Sequence, residues 1–188
     1  MEAEGVLFDV EQVRKDAQRS VERGAVTEDY GLDPKHACEL LNQALAAEIL
    51  CVLRYRHHQI VAKGIDFPQV AAEFAEHAAS EEEHMLMIAE RIDQLGGDPD
   101  LDPAGVVGRA ITQYGDPSGD RSLPSLIRDD LVAERIVIEV YRKMIGWFGT
   151  ADPTTRRMLE KILEDEEEHA RDLADLLASV DPRAGSRA

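Results

Sequence analysis

The pattern of residues 47–92 of this 188-residue chain recurs around residues 133–177, with matching offsets within each of its two segments, and this duplication narrows the available folds more than any other feature. Ala47-Glu48 is followed seven and eight places later by Tyr55-Arg56, and Ala133-Glu134 is followed at the same offsets by Tyr141-Arg142. Glu81-Glu82-Glu83-His84 precedes Ile88-Ala89 and Ile92, just as Glu166-Glu167-Glu168-His169 precedes Leu173-Ala174 and Leu177. Aliphatic residues stand at helical spacing through all four stretches, so the repeated unit is a helical hairpin. Two copies predict a pseudo-twofold axis, and any site on that axis is built from both halves.

Start and stop signals place the helices. Asp33-Pro34 opens the first long one, with Asp as cap and Pro in the first turn, and it runs to about Ala62 before Lys63-Gly64-Ile65-Asp66. The second runs from about Phe67, with Pro68 in its first turn, to Leu95, where Gly96-Gly97-Asp98-Pro99 stops it. The short link makes the two antiparallel neighbours. Residues 98–121, with Pro99, Pro103, Gly105, Gly108, Gly115 and Pro117, read as a long crossover. A third helix spans about Leu123 to Phe148, and after a tight turn at Gly149 to Pro153 a fourth runs from about Thr154 to Val180. The predicted fold is all-α. Residues 34–180 form a four-helix bundle of two antiparallel hairpins joined by one long connection. Residues 1–33 are an N-terminal extension with a short amphipathic helix near Val10 to Arg23, and residues 181–188 are a C-terminal tail.

Charge restricts the partners. The 38 acidic and 21 basic residues leave a net charge of −17, which argues against nucleic acid or an anionic membrane, because phosphates reward clustered Lys and Arg. The extension is no basic arm, with four bases against nine acids. No window approaches the roughly 18 apolar residues of a spanning helix. The start, Met1-Glu2-Ala3-Glu4, lacks the features of a secretory signal, so a cytoplasmic location is expected. Cys38 and Cys51 lie about 20 Å apart if both are on one helix, beyond disulfide reach, and read as small buried hydrophobes in a reducing compartment.

The chemistry lies in carboxylates that point the wrong way. Leu41, Leu45 and Val52 flank Glu48 at core-facing offsets, and Ile127, Leu131, Ile138 and Tyr141 do the same for Glu134. A carboxylate in an apolar core costs several kcal/mol unless a cation compensates. No Lys or Arg stands on these stripes; what the sequence supplies is Glu81, His84, Glu166 and His169. The i, i+3 spacing puts each Glu and its His on one face, able to hold one ion between them. Four carboxylates carry the charge that two divalent ions neutralise. Oxygen ligands with two imidazoles suit iron or manganese better than zinc. Glu-x-x-His occurs nowhere else in the chain. Tyr55, two turns beyond Glu48 on nearly the same face, reads as core packing or as a hydrogen-bond partner and radical sink for the site. Tyr141 reads first as packing. His36, His57, His58 and His77 have no repeat partners and read as surface residues or as the layer around the site.

Leu41-Asn42-Gln43-Ala44-Leu45-Ala46-Ala47-Glu48, Glu81-x-x-His84, Asp130-Leu131-Val132-Ala133-Glu134 and Glu164-Asp165-Glu166-Glu167-Glu168-His169 resemble the ferroxidase motifs of bacterioferritins, over about residues 34–180. The resemblance implies a ferritin-like fold. It implies that Glu81 and Glu166 bridge two irons, with Glu48 and His84 terminal on one and Glu134 and His169 terminal on the other. It also implies two iron ions per subunit, with manganese as the alternative, oxidation of Fe(II) by H2O2 or O2, and a mineral kept inside a protein shell against oxidative stress. Bacterioferritins bind haem through a Met after the first bridging Glu; here that residue is Glu82, so no haem is expected. Few residues follow Val180 for the fifth helix of a 24-subunit shell, so the resemblance favours the homo-dodecamer of Dps-like proteins. The family's inner-surface iron pair is replaced by Glu76 and Ser80.

Competing readings are a rubrerythrin-like peroxidase, whose usual Cys-x-x-Cys knuckle is missing, a manganese-dependent peroxidase or catalase, and a non-enzymatic structural or nucleoid-coating cage. The missing basic tail counts against DNA coating.

Overall fold

The computed structural model describes residues 8–62, 67–116 and 119–181. It contains α1 (Val10–Ala17), α2 (Pro34–Val61), α3 (Phe67–Gln94), α4 (Val106–Arg109), α5 (Leu123–Phe148) and α6 (Pro153–Val180). Four of them, α2, α3, α5 and α6, form a four-helix bundle, as predicted. The predicted breaker at residues 63–66 lies outside the described residues, as does nearly all of the C-terminal tail.

Local chemistry sets the helix ends. Asp33 caps α2 by accepting from the Lys35 amide at 3.0 Å, and Asp152 caps α6 by accepting from the Thr155 amide at 2.9 Å. Pro34 and Pro153 occupy first-turn positions whose amides have no helical partner. Gly97 follows α3 because a side chain there would collide with Cys38: a Cβ would stand 2.6 Å from its Sγ. The extension differs from the single helix expected over residues 10–23. Helix α1 ends at Ala17, Ser20 takes a left-handed conformation, and Val21–Arg23 form a 3-10 turn. The crossover also holds the unforeseen α4, packed on α2 through Val106.

Helices α2 and α3 pack as one hairpin and α5 and α6 as the other. Contacts such as Cys38 with Ile92 and Arg56 with Ala75, or Arg142 with Glu167 and Arg128 with Asp181, show each pair running antiparallel. By length and composition α2 alone among the described helices is apolar enough to cross a membrane, contrary to the expectation that no window approaches this. Its apolar content is bundle core: Leu41, Ala44 and Leu45 are fully buried, and the same helix buries Glu48 and Arg54.

The core has two apolar layers. One holds Leu41, Leu45, Ile88, Ile92, Phe148, Leu159 and Ile162; the other holds Tyr55, Phe74, Ala78, Ile127, Leu173 and Leu177. In each long helix the inward Glu falls between residues of the first layer and residues of the second, so the carboxylates form a polar stratum sealed above and below by hydrocarbon.

Candidate metal centre

That stratum collects all six sequence-predicted ligands. Glu48 comes from α2, Glu81 and His84 from α3, Glu134 from α5, and Glu166 and His169 from α6, with none more than 6% exposed. They fall into two groups, Glu48, Glu81, His84 and Glu166, and Glu81, Glu134, Glu166 and His169; within each, one ligand atom per residue lies within 4.8 Å of the others. Glu81 and Glu166 belong to both. His84 Nδ1 stands 3.7 Å from Glu81 Oε2 and 3.2 Å from Glu166 Oε1, while His169 Nδ1 stands 3.5 Å from Glu81 Oε1 and 3.5 Å from Glu166 Oε2. Each shared carboxylate thus turns one oxygen to each imidazole, the arrangement needed to bridge two ions.

Most inward-facing polar atoms here have no hydrogen-bond partner. Both oxygens of Glu81 and of Glu166, one oxygen each of Glu48 and Glu134, and Nδ1 of both histidines are buried and orphaned. A buried, unsatisfied polar group costs about 1–3 kcal/mol, more if charged, so this concentration in one place calls for a ligand that takes many lone pairs at once. Oxygen-rich donors with two imidazoles fit a pair of divalent iron or manganese ions.

The outward-facing atoms are held. His84 Nε2 lies 3.2 Å from Asp165 Oδ2, which fixes the ring with Nδ1 inward. The tyrosine hydroxyls reach across the bundle: Tyr141 of α5 donates to Glu48 of α2, and Tyr55 of α2 donates to Glu134 of α5. Tyr141 thus packs in the first apolar layer, as read from sequence, and is also a hydrogen-bond partner of the site. The antiparallel course of α2 and α5 brings each Tyr, two turns along, to the other hairpin's Glu.

With no metal bound, burial and then the Glu81 and Glu166 charges raise the Glu48 carboxyl well above its usual range, and burial followed by Glu166 and Glu81 does the same for Glu134. Burial opposes charge on His169, but the Glu166 and Glu81 carboxylates outweigh it and lift the imidazole to about 9. Burial, then the neighbouring His169 charge, holds His77 down to about 4.

In the layer around this centre sequence reasoning allowed for His58 and His77 but missed Arg54 and Asp130. Arg54, 1% exposed, donates through Nε to Asp130 Oδ1 at 2.8 Å and through Nη1 to the Gln113 carbonyl at 2.9 Å, and His58 Nδ1 lies 2.8 Å from Asp130 Oδ2. His77, 2% exposed, stacks on His169 with ring centroids 4.1 Å apart. His36 stays at the surface and His57 is half-buried. Cys38 and Cys51 are free and buried. Asp130, four residues before Glu134 in the motif quoted above, was the available signal for the Arg54 network.

A family model described as a ferritin-like domain matches residues 38–181. A nutrient stress-induced DNA-binding protein of Synechococcus is 29% identical over 143 residues, 75% of this chain and 80% of the relative. A bacterioferritin of Desulfovibrio desulfuricans is 29% identical over 134 residues, 70% of this chain and 68% of the relative. Among solved structures, the dodecameric, bacterioferritin-related thioferritin of Bacteroides fragilis aligns with a TM-score of 0.78 and 34% identity, over 83% of this chain and 92% of that one.

Proposed function

Because the chain belongs to the ferritin-like family, we propose that it is a ferroxidase that oxidises Fe(II) at the buried carboxylate centre and stores the ferric product inside a homo-oligomeric shell. The observation that carries this reading is the set of orphaned inward atoms on Glu48, Glu81, His84, Glu134, Glu166 and His169, with Glu81 and Glu166 shared between two groups. Iron is the substrate: two Fe(II) each give up one electron, and one H2O2 takes both with two protons, leaving two Fe(III) and two waters. Paired electron delivery avoids release of a hydroxyl radical, which suits protection against oxidative stress. The chain's part is to bind and orient. Tyr141 and Tyr55 hold the outer oxygens of Glu48 and Glu134, Asp165 aims His84, and two apolar layers exclude bulk water. The net charge of −17 draws cations toward the assembly.

The dodecameric relative supports a dodecameric shell here. The DNA-binding name of the Synechococcus relative raises a second reading, but the net charge counts against it. The test is Glu81→Ala: rapid Fe(II) oxidation, followed by stopped-flow absorbance with H2O2 and with O2, is expected to fall by at least about 100-fold, the loss of an orienting ligand set being worth several kcal/mol. Unchanged kinetics reject the assignment.

A further inference from the structure

The two halves of the centre are alike inside and unlike outside. The duplication that maps Glu81 onto Glu166 and His84 onto His169 maps Glu73, His77 and Asp172 onto Met158, Ile162 and Met87. On that second side the layer is hydrocarbon: Ile162 is fully buried, and Met87 and Met158 pack against the apolar core. On the first side there is a cavity of about 240 Å³ instead, lined by Glu73, His77, Ser80, Asp165, His169 and Asp172 among others. It reaches from the surface to a wall formed by His169, and no Lys or Arg is among its lining residues.

Within this cavity one ligand atom each of Glu73, His77 and Asp172 lies within 4.8 Å of the others. The buried imidazole points into the group. Tyr55 gives its single hydroxyl proton to Glu134, so its oxygen accepts from His77 Nδ1–H at 3.3 Å. Nε2 of the neutral ring then carries a lone pair, and it faces Glu73 Oε1 at 3.3 Å. Two acceptors face one another with a second carboxylate beside them, an arrangement that a cation stabilises. Arg171, at the rim, takes Asp172 Oδ1 at 2.9 Å and leaves the other oxygen free of that contact. We propose that Glu73, His77 and Asp172 bind a single divalent transition ion at the mouth of the cavity, a waiting position between solvent and the paired-carboxylate centre. One imidazole nitrogen and two carboxylates suit a first-row divalent ion. The binding site stands on its own geometry; its role as a waiting position rests on the ferroxidase reading.

Co(II), which resists oxidation here, is the probe, with ions retained per subunit measured on the purified full chain after dialysis. Wild type is expected to keep about three, Asp172→Asn and Glu73→Gln about two, and Glu81→Ala combined with Glu166→Ala about one. These polar replacements at part-exposed carboxylates preserve shape and leave the fold intact. Wild type retaining only the two ions that the Glu81/Glu166 change removes overturns this site and leaves the ferroxidase reading standing. Wild type retaining a single ion, kept through the Glu81/Glu166 change and lost with Asp172→Asn, supports this site and overturns the paired centre. His77→Ala, with circular dichroism as its folding control, is expected to lose the same ion as Asp172→Asn, and retention of that ion overturns the proposal.

Discussion

Six side chains pulled out of water by an apolar bundle leave few ways to balance their charge, and metal removal exposes the cost. Glu48, Glu134 and His169 all hold their protons in the folded, metal-free protein above the pH at which the unfolded chain releases them. For each, the stabilising contribution is full below the unfolded value, near 4.5 for Glu and 6.5 for His, and drains away as pH rises. Glu81 and Glu166 shift the other way, so their effect falls below about 4.5. Protein stripped by chelation is thus expected to melt at progressively lower temperature as pH rises from about 6.5 to about 9, while metal-loaded protein, whose carboxylates need no protons, stays nearly flat. Thermal melts across that range check it; equal slopes for the two forms would contradict it. At this scale the six inward residues were legible because charge on an apolar stripe is visible in one dimension. The reciprocal Tyr–Glu bonds were not, because they depend on which helices run antiparallel across the core.

At the scale of elements, the long helices were legible from their apolar period and from Asp-Pro starts and glycine stops. Helix α4 was not, being only four residues long and held by a few tertiary contacts to α2. The crossover is pinned by Arg54, which joins α2 to Asp130 of α5 and to the Gln113 carbonyl. An Arg at that position gives no sign in sequence of whether it faces water or core. Removing one partner of a buried ion pair strands the other, so Arg54→Ala is expected to destabilise the protein by about 3–5 kcal/mol. Chemical denaturation measures this, and a loss below about 1 kcal/mol, as for an exposed pair, would show that the network is not structural.

At the scale of the whole molecule, duplication explains both the fold and the position of the centre. Two hairpins related by a pseudo-twofold each bring one Glu and one Glu-x-x-His to the shared axis. Departures from that symmetry, such as His77 opposite Ile162, then stand out as features of one side alone. Light scattering is expected to give the mass of about twelve subunits, as closed symmetric shells do, and a stable monomer would remove the storage cavity from the proposal. The pairing of two ions by Glu81 and Glu166 is tested by anomalous diffraction from crystals grown with Co(II) or, anaerobically, Fe(II). Two peaks are expected within the carboxylate stratum, one bounded by Glu48, Glu81, His84 and Glu166 and the other by Glu81, Glu134, Glu166 and His169, separate from the third ion proposed at Glu73, His77 and Asp172. A carboxylate stratum without metal density at saturating ion would contradict it.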